Sequence, residues 1–265
     1  MASLPVGLVT IHLEVNMLID EYEIAERILS TKTINNKSDL FVVAKYLRTE
    51  MECNEKETLE MLITIAKKSK FEFNPVKSIP FLESISKKAI NYKLKKVDYV
   101  DITQHEVDEI KKIDSVKIQR VAFTLLVYAK YNNKLSQDND NWCNIGINEI
   151  YKIARVSTRN TKEKALILNK LNTLGYIAFS KKNTNLNCRY LLIDDKEDSF
   201  LRVNDLRELG YQYIAIDNKN QFVTCQKCGA IVKKKSKNDY STKYCAECSQ
   251  SLRNENLLKS FHKLD

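Results

Sequence analysis

The sequence predicts a mainly α chain with small β elements. An N-terminal helical domain covers residues 1–102, a central domain 103–193, a linker with a short helix and a strand 194–218, and a cysteine module with a basic tail 219–265. Three observations carry this prediction. Apolar residues recur at helical spacing in segment after segment from Asp20 onward, two β-rich runs flank a polar turn at 176–180 and 186–193, and two CxxC pairs stand near the end. With 265 residues and 43% hydrophobic content, the chain can supply two or three small cores.

Residues 1–18 are mostly apolar and partly β-branched, as in a short strand or a packed tail. Helical patterning starts with DEYEIAERILS, where Asp20 and Glu23 form a capping box. A second helix follows from Ser38. A third opens at Asn54, whose side chain can cap while Glu57 reaches back, and it carries Leu59, Leu62, Ile63 and Ala66 on one stripe. The chain breaks at Asn74-Pro75, and FLESISKKAINYKL makes a fourth helix, with Pro80 tolerated in the first turn.

The run NNKSDLFVVAKYLRTEMECNEKETLEMLITIAKK, followed by NPVKSIPFLESISKKAINYKL, resembles the small helical domain that follows the catalytic module of some phage and plasmid primases. The match covers residues 35–95 as a pattern of apolar and turn positions, and it implies a replication accessory. The residues taken alone read as a helical interaction module.

In the central domain Thr103 and Glu106 form another capping box. VKIQRVAFTLLVYAKYNN then makes a long helix with Ile118, Val121, Leu125 and Tyr128 on one side. Residues 132–146 are polar and rich in Asn and Asp, hence a loop. A short helix at 147–154, a turn at 155–157 and a longer helix at 158–174 follow, ended by Gly175 as a left-handed cap before the hairpin.

This order, spanning residues 107–193, resembles the winged-helix DNA-binding domains, including those of phage and plasmid replication initiators. The resemblance implies that the second helix of the pair enters a major groove. Ala165, Leu168, Leu171 and Leu174 are expected to face the core, leaving Thr158, Arg159, Asn160, Thr161, Lys162 and Lys164 at the end that meets DNA. Arg159 can present a fork to guanine, Asn160 can pair with adenine, and Lys162 and Lys164 suit phosphates. Lys181, Lys182 and Arg189 charge the wing.

Charge distribution supports a polyanion partner. The net charge of +9 divides into −3 over residues 1–110, +10 over 111–193, −4 over 194–218 and +6 over 219–265. A uniform compositional bias toward lysine would not confine the excess to two blocks.

The linker is read as a short helix capped by Asn204 and stopped by Gly210, then a strand, which would leave the wing and the cysteine module separable. Cys225 and Cys228, then sixteen residues, then Cys245 and Cys248 have the spacing of two hairpin-like knuckles offering four thiolates to one tetrahedral Zn2+ ion, a four-cysteine zinc ribbon. Four thiolates leave no open position for a catalytic water, so the zinc is expected to be structural. Lys233, Lys234, Lys235 and Lys237 lie between the pairs beside Tyr240 and Tyr244, where phosphate contact and base stacking on single-stranded DNA are available.

The five glycines are too dispersed for a phosphate-binding loop, and the three histidines stand alone, so no enzyme activity is expected. No run of eighteen apolar residues occurs and no secretory segment opens the chain, so a membrane is not an expected partner and a cytoplasmic setting is, that of the bacterial host if the chain is viral. The expected function is duplex DNA binding for a phage or mobile element, in replication initiation or transcription regulation, with the replication or transcription machinery as further partners. The alternative is an adaptor that binds a polymerase, helicase or other enzyme through the helical domain and ribbon.

Overall fold

The structure, a computed structural model, describes residues 18–34, 36–69, 73–180, 187–236 and 238–261. The chain divides into two compact units, Leu18–Asp98 and a second beginning at Tyr99. The expectation for the N-terminal tail falls outside the described residues, except that Leu18 is buried.

In the first unit the Asp20 carboxylate accepts the amides of Tyr22 and Glu23 at 3.0 and 3.1 Å, which starts α1 (Glu21–Thr31). After α2 (Asp39–Thr49), α3 (Glu55–Lys68) opens with a reciprocal cap. Asn54 Oδ1 accepts from the Glu57 amide at 3.0 Å, and the Glu57 carboxylate accepts from the Asn54 amide at 2.9 Å. α4 (Pro75–Lys88) starts earlier than expected, at Pro75 behind the Asn74 cap, so Pro80 lies inside the helix and not in its first turn. The carbonyl that Pro80 leaves without a donor belongs to Val76, a residue that is 83% exposed. Leu40, Val43, Leu47, Leu62, Ile65 and Leu82 meet in one core. On α3 the buried stripe is Thr58, Leu62, Ile65 and Ala66, while Leu59 and Ile63 flank it half-buried.

The second unit is organised around a helix buried on almost every side. β1 (Val100–Thr103) runs into α5 (Gln104–Lys111) through the expected Thr103–Glu106 cap, and α6 (Val116–Leu135) follows. Val121, Phe123, Leu125, Leu126 and Val127 of α6 are all fully buried, whereas Ile118 and Tyr128 are half-buried. Around α6 come β2 (Trp142–Cys143), α7 (Ile147–Ile153), α8 (Thr161–Thr173), β3 (Ile177–Phe179) and β4 (Cys188–Tyr190), the strands forming an antiparallel sheet in the order β2-β4-β3. β2 lies in the segment expected to be all loop. Two residues carry no periodicity, and β2 forms because Trp142 and Cys143 pair with Arg189 and Cys188 across the ladder. Gly175 has φ +81° behind α8, the left-handed stop that its position implies.

Residues 194–218 depart furthest from expectation. β5 (Ser199–Val203) pairs antiparallel with β1, and α9 (Leu209–Asn218) takes the place of the expected strand. Asn204 caps no helix. Gly210 lies in the first turn of α9, where a Cβ would come within 1.8 Å of the Ala154 carbonyl oxygen, so this close approach requires glycine. Tyr213 of α9 packs on Phe123 with ring centroids 5.3 Å apart. Burial against α6 overrides the strand propensity of YQYIAI. β6 (Phe222–Thr224) and β7 (Ile231–Lys233) form a hairpin, and α10 (Ala246–Phe261) follows. No helix among the described residues is long and apolar enough to cross a membrane.

Candidate metal centre and candidate nucleic-acid interface

The cysteine cluster is built from the tip of one hairpin and the start of one helix. β6 and β7 pair Phe222 with Lys233 and Thr224 with Ile231, and the Cys225 amide then donates to Ala230 O at 2.8 Å. This closes a tight loop that Gly229 permits with φ +72°. The second pair differs from the expected knuckle, because Cys245 immediately precedes α10 and Cys248 lies in its first turn. The four Sγ atoms lie within 4.8 Å of one another, with Cys228 and Cys245 Sγ 3.7 Å apart. Thiolates about 2.3 Å from a tetrahedral ion stand at about that separation from each other. The cluster could therefore hold a metal ion. Amides of Cys245 and Cys248 point at sulfur, donating to Cys225 Sγ at 3.3 Å and Cys245 Sγ at 3.4 Å. Burial pushes the Cys225 thiol up, but the amides of Cys245, Cys228 and Lys227 outweigh it and bring the group down to about 6, whereas burial pushes the Cys245 and Cys248 thiols up.

The module is joined to the rest of its unit by direct contacts. Arg207 donates to Cys228 O at 2.8 Å while pairing with Asp205, and the rings of Tyr211 and Phe222 stand 5.5 Å apart. Lys233 at the end of β7 and Lys235 beyond it are exposed, and Lys234 lies over the Tyr240 ring at 5.8 Å. Tyr240 is 85% exposed, so the expected stacking surface is open. Lys237 lies outside the described residues, as do Lys181 and Lys182 of the expected wing tip.

The turn before α8 is held from behind. Arg155 has φ +52° and forms a two-pronged ion pair with Glu208, and Arg120 donates to Ala154 O at 2.9 Å and to Arg155 O. Both guanidiniums lie over the Tyr211 ring, at 5.9 and 5.8 Å. α8 then starts at Thr161, so Thr158, Arg159 and Asn160 precede the helix. The Asn160 Oδ1 accepts the Glu163 amide at 2.9 Å as the N-cap, which occupies the oxygen that adenine pairing was expected to use. The Glu163 carboxylate ion-pairs with Lys117 and accepts the Arg159 amide at 2.7 Å. The hydrogen bond to Lys117, then that from Arg159, holds this carboxyl below its ordinary range.

Two further residues expected to touch DNA have polar partners within the protein. Lys164 donates to Asn148 Oδ1 at 2.7 Å and lies over Tyr151, and Arg189 donates to Asp140 O at 3.0 Å and pairs with its carboxylate. Lys162 has no ion pair among the described residues and is exposed.

The core face of α8 is Ile167, Leu168 and Leu171; the expected Ala165 and Leu174 are exposed. Lys162, Ala165, Leu166 and Asn169 therefore point outward. Lys117, Thr158, Arg159, Lys162 and Leu166 line an open cleft of about 690 Å³, and Phe179 of β3 borders a second hollow beside Ala165 and Asn169. Leu166, Asn169, Lys117 and Phe179 were not among the expected site residues. The run ALIL offers two neighbouring apolar stripes, and nothing local says which one packs inward. Comparison of the chain with protein-family models, with curated proteins and with solved structures returns no match.

Proposed function

We propose that this chain binds duplex DNA through a winged helix, with its C-terminal module folded around a structural zinc ion. The observation that carries the reading is the outward face of α8. It is polar and cationic at its N-terminal end, carries Lys162 with no ion pair among the described residues, and belongs to the order α6, β2, α7, α8, β3, β4 with a β2-β4-β3 sheet beside it. A recognition helix is presented in this way, its first turns toward the base edges and flanking cations toward phosphates.

The zinc reading rests on the donor set. Four sulfurs at tetrahedral spacing suit a soft-ligand structural site, and two short strands and one helix are too little to fold without such a staple. When bound, the ion would cross-link the hairpin to α10. The contacts from Arg207 and Tyr211 would pass that order to α9, which backs the turn before α8. The likeness to phage and plasmid replication initiators extends the proposal to replication initiation or transcription regulation in a bacterial host.

One observation favours the adaptor reading for the first unit. Ile34, Leu40, Phe73, Phe81 and Leu82 line an apolar hollow of about 220 Å³, and Phe81 is 45% exposed. A protein partner would find its anchor there.

Anisotropy on duplex and single strand of equal length across a salt series tests the main reading. Preference for duplex with a steep negative slope of log K on log salt is expected. Replacing Arg159 and Lys162 by alanine should cost about 1–3 kcal/mol for each base that the side chains no longer touch, and lower the slope by about 1 for each phosphate released. Unchanged binding in that variant would reject the assignment to α8, and absence of zinc from the purified protein by elemental analysis would reject the metal.

A further inference from the structure

An apolar side chain stands at the centre of the outward face of α8, outside the buried core. Leu166 is 58% exposed and borders both hollows on that face. At 100° per residue, Lys162, Leu166 and Asn169 fall on one line, opposite Ile167, Leu168 and Leu171. Ala165 lies beside that line, and the Asn169 amide makes no side-chain hydrogen bond among the described residues. The surface thus runs from an exposed ammonium, through two methyl-bearing side chains, to an exposed carboxamide.

Resting on the duplex-binding reading above, we propose that this stripe reads an A·T-containing step in the major groove. Leu166 and Ala165 pack on thymine C5-methyl groups, Asn169 takes the N7 acceptor and N6 donor of adenine, and Lys162 holds a flanking phosphate. Thymine is the one standard base that shows a methyl group in the major groove, and adenine alone offers the acceptor–donor pair that a carboxamide matches in two-pronged fashion. Covering Leu166 with a methyl removes from water apolar surface that the fold leaves exposed. A guanine-reading surface would need an arginine or lysine at the centre of the stripe, where Leu166 stands. The cations near it lie toward its two ends, Lys162 in the first turn and Lys170 in the last, and Lys117 is neutralised by Glu163. Specificity therefore rests about one and a half to three turns further along the chain than Arg159 and Asn160.

The test uses the full-length protein and a random-sequence duplex pool. Retention of the unselected pool at low salt checks the duplex reading by itself; no retention overturns that reading and this proposal with it. Given retention, the selected duplexes are resynthesised with uracil for thymine, which deletes the methyl and nothing else on that edge. Wild-type affinity is expected to fall about fourfold per contacted methyl, the effect of one buried methyl group. Leu166→Ala, which leaves the core untouched, should bind the uracil duplex as the wild type does and lose the thymine preference. 7-Deazaadenine should weaken the wild type and leave Asn169→Ala unaffected. Equal binding of thymine and uracil duplexes by the wild type, or an unchanged thymine preference in Leu166→Ala, overturns the proposal.

Discussion

Each unit buries one lysine–glutamate pair, in both cases between residues 24 apart in sequence, yet the two pairs are wired differently. In the first unit Glu21 of α1 pairs with Lys45 of α2 and also accepts the Lys95 amide at 2.6 Å. Lys45 is 3% exposed, and Glu21 is its one carboxylate partner among the described residues. In the second unit Glu106 takes Lys130 on both oxygens, at 2.8 and 3.0 Å, together with the amides of Thr103 at 2.9 Å and Asp194 at 3.0 Å. Lys130 in turn reaches Asp195 Oδ1 at 3.0 Å. The first arrangement joins two helices inside a bundle. The second is a junction at which the α5 cap, the central helix α6 and the segment leaving β4 meet, so the hairpin proposed as a wing is anchored by charge as well as by apolar cover.

The wiring predicts unequal responses to losing the glutamate. Glu21→Gln strands the Lys45 ammonium in the core and should cost about 3–5 kcal/mol, read by denaturant unfolding of the helical signal. A loss below about 1 kcal/mol would mean that Lys45 reaches water along its stem. Glu106→Gln should cost less, about 1.5–3 kcal/mol, because Lys130 keeps Asp195. Adding Asp195→Asn should then bring the loss up to that of Glu21→Gln. If the second change adds nothing, Asp195, whose side chain is 71% exposed, is no real partner and the two pairs are alike.

Acid should act on both units and produce the smallest effect. Burial raises the Asp20 carboxyl, but Lys96 and the amides of Glu23 and Tyr22 outweigh it and hold the group below its ordinary value. Burial likewise raises Asp101, and Ser199, Lys134 and Arg202 pull it down. A carboxylate depressed in the folded state contributes stability that is complete above its unfolded pKa of about 3.9 and is lost as pH falls through the folded value. Both units should therefore weaken below about pH 4. Asp20→Asn should flatten that decline in the first unit only and Asp101→Asn in the second only, each by under about 1 kcal/mol given the exposure of the pairs. A decline unmoved by either change would assign acid sensitivity to other carboxylates.

Relations confined to a few consecutive residues were legible in the sequence. The Asn54–Glu57 and Thr103–Glu106 caps, the left-handed Gly175 and the spacing of the four cysteines depend on covalent geometry over a turn or two, so the chain determines them wherever it folds. The tertiary structure decided the rest. β2 exists only opposite Cys188 and Arg189, and α9 is a helix because Gly210 and Tyr213 pack on Ala154 and Phe123. Arg189 and Lys164 are held by Asp140 and Asn148, partners that no local pattern names. Most consequential for function, the rotation of α8 sends Ile167 inward and Leu166 outward. Neighbouring stripes of one helix bury similar apolar area, and only the shape of what lies beneath breaks the tie.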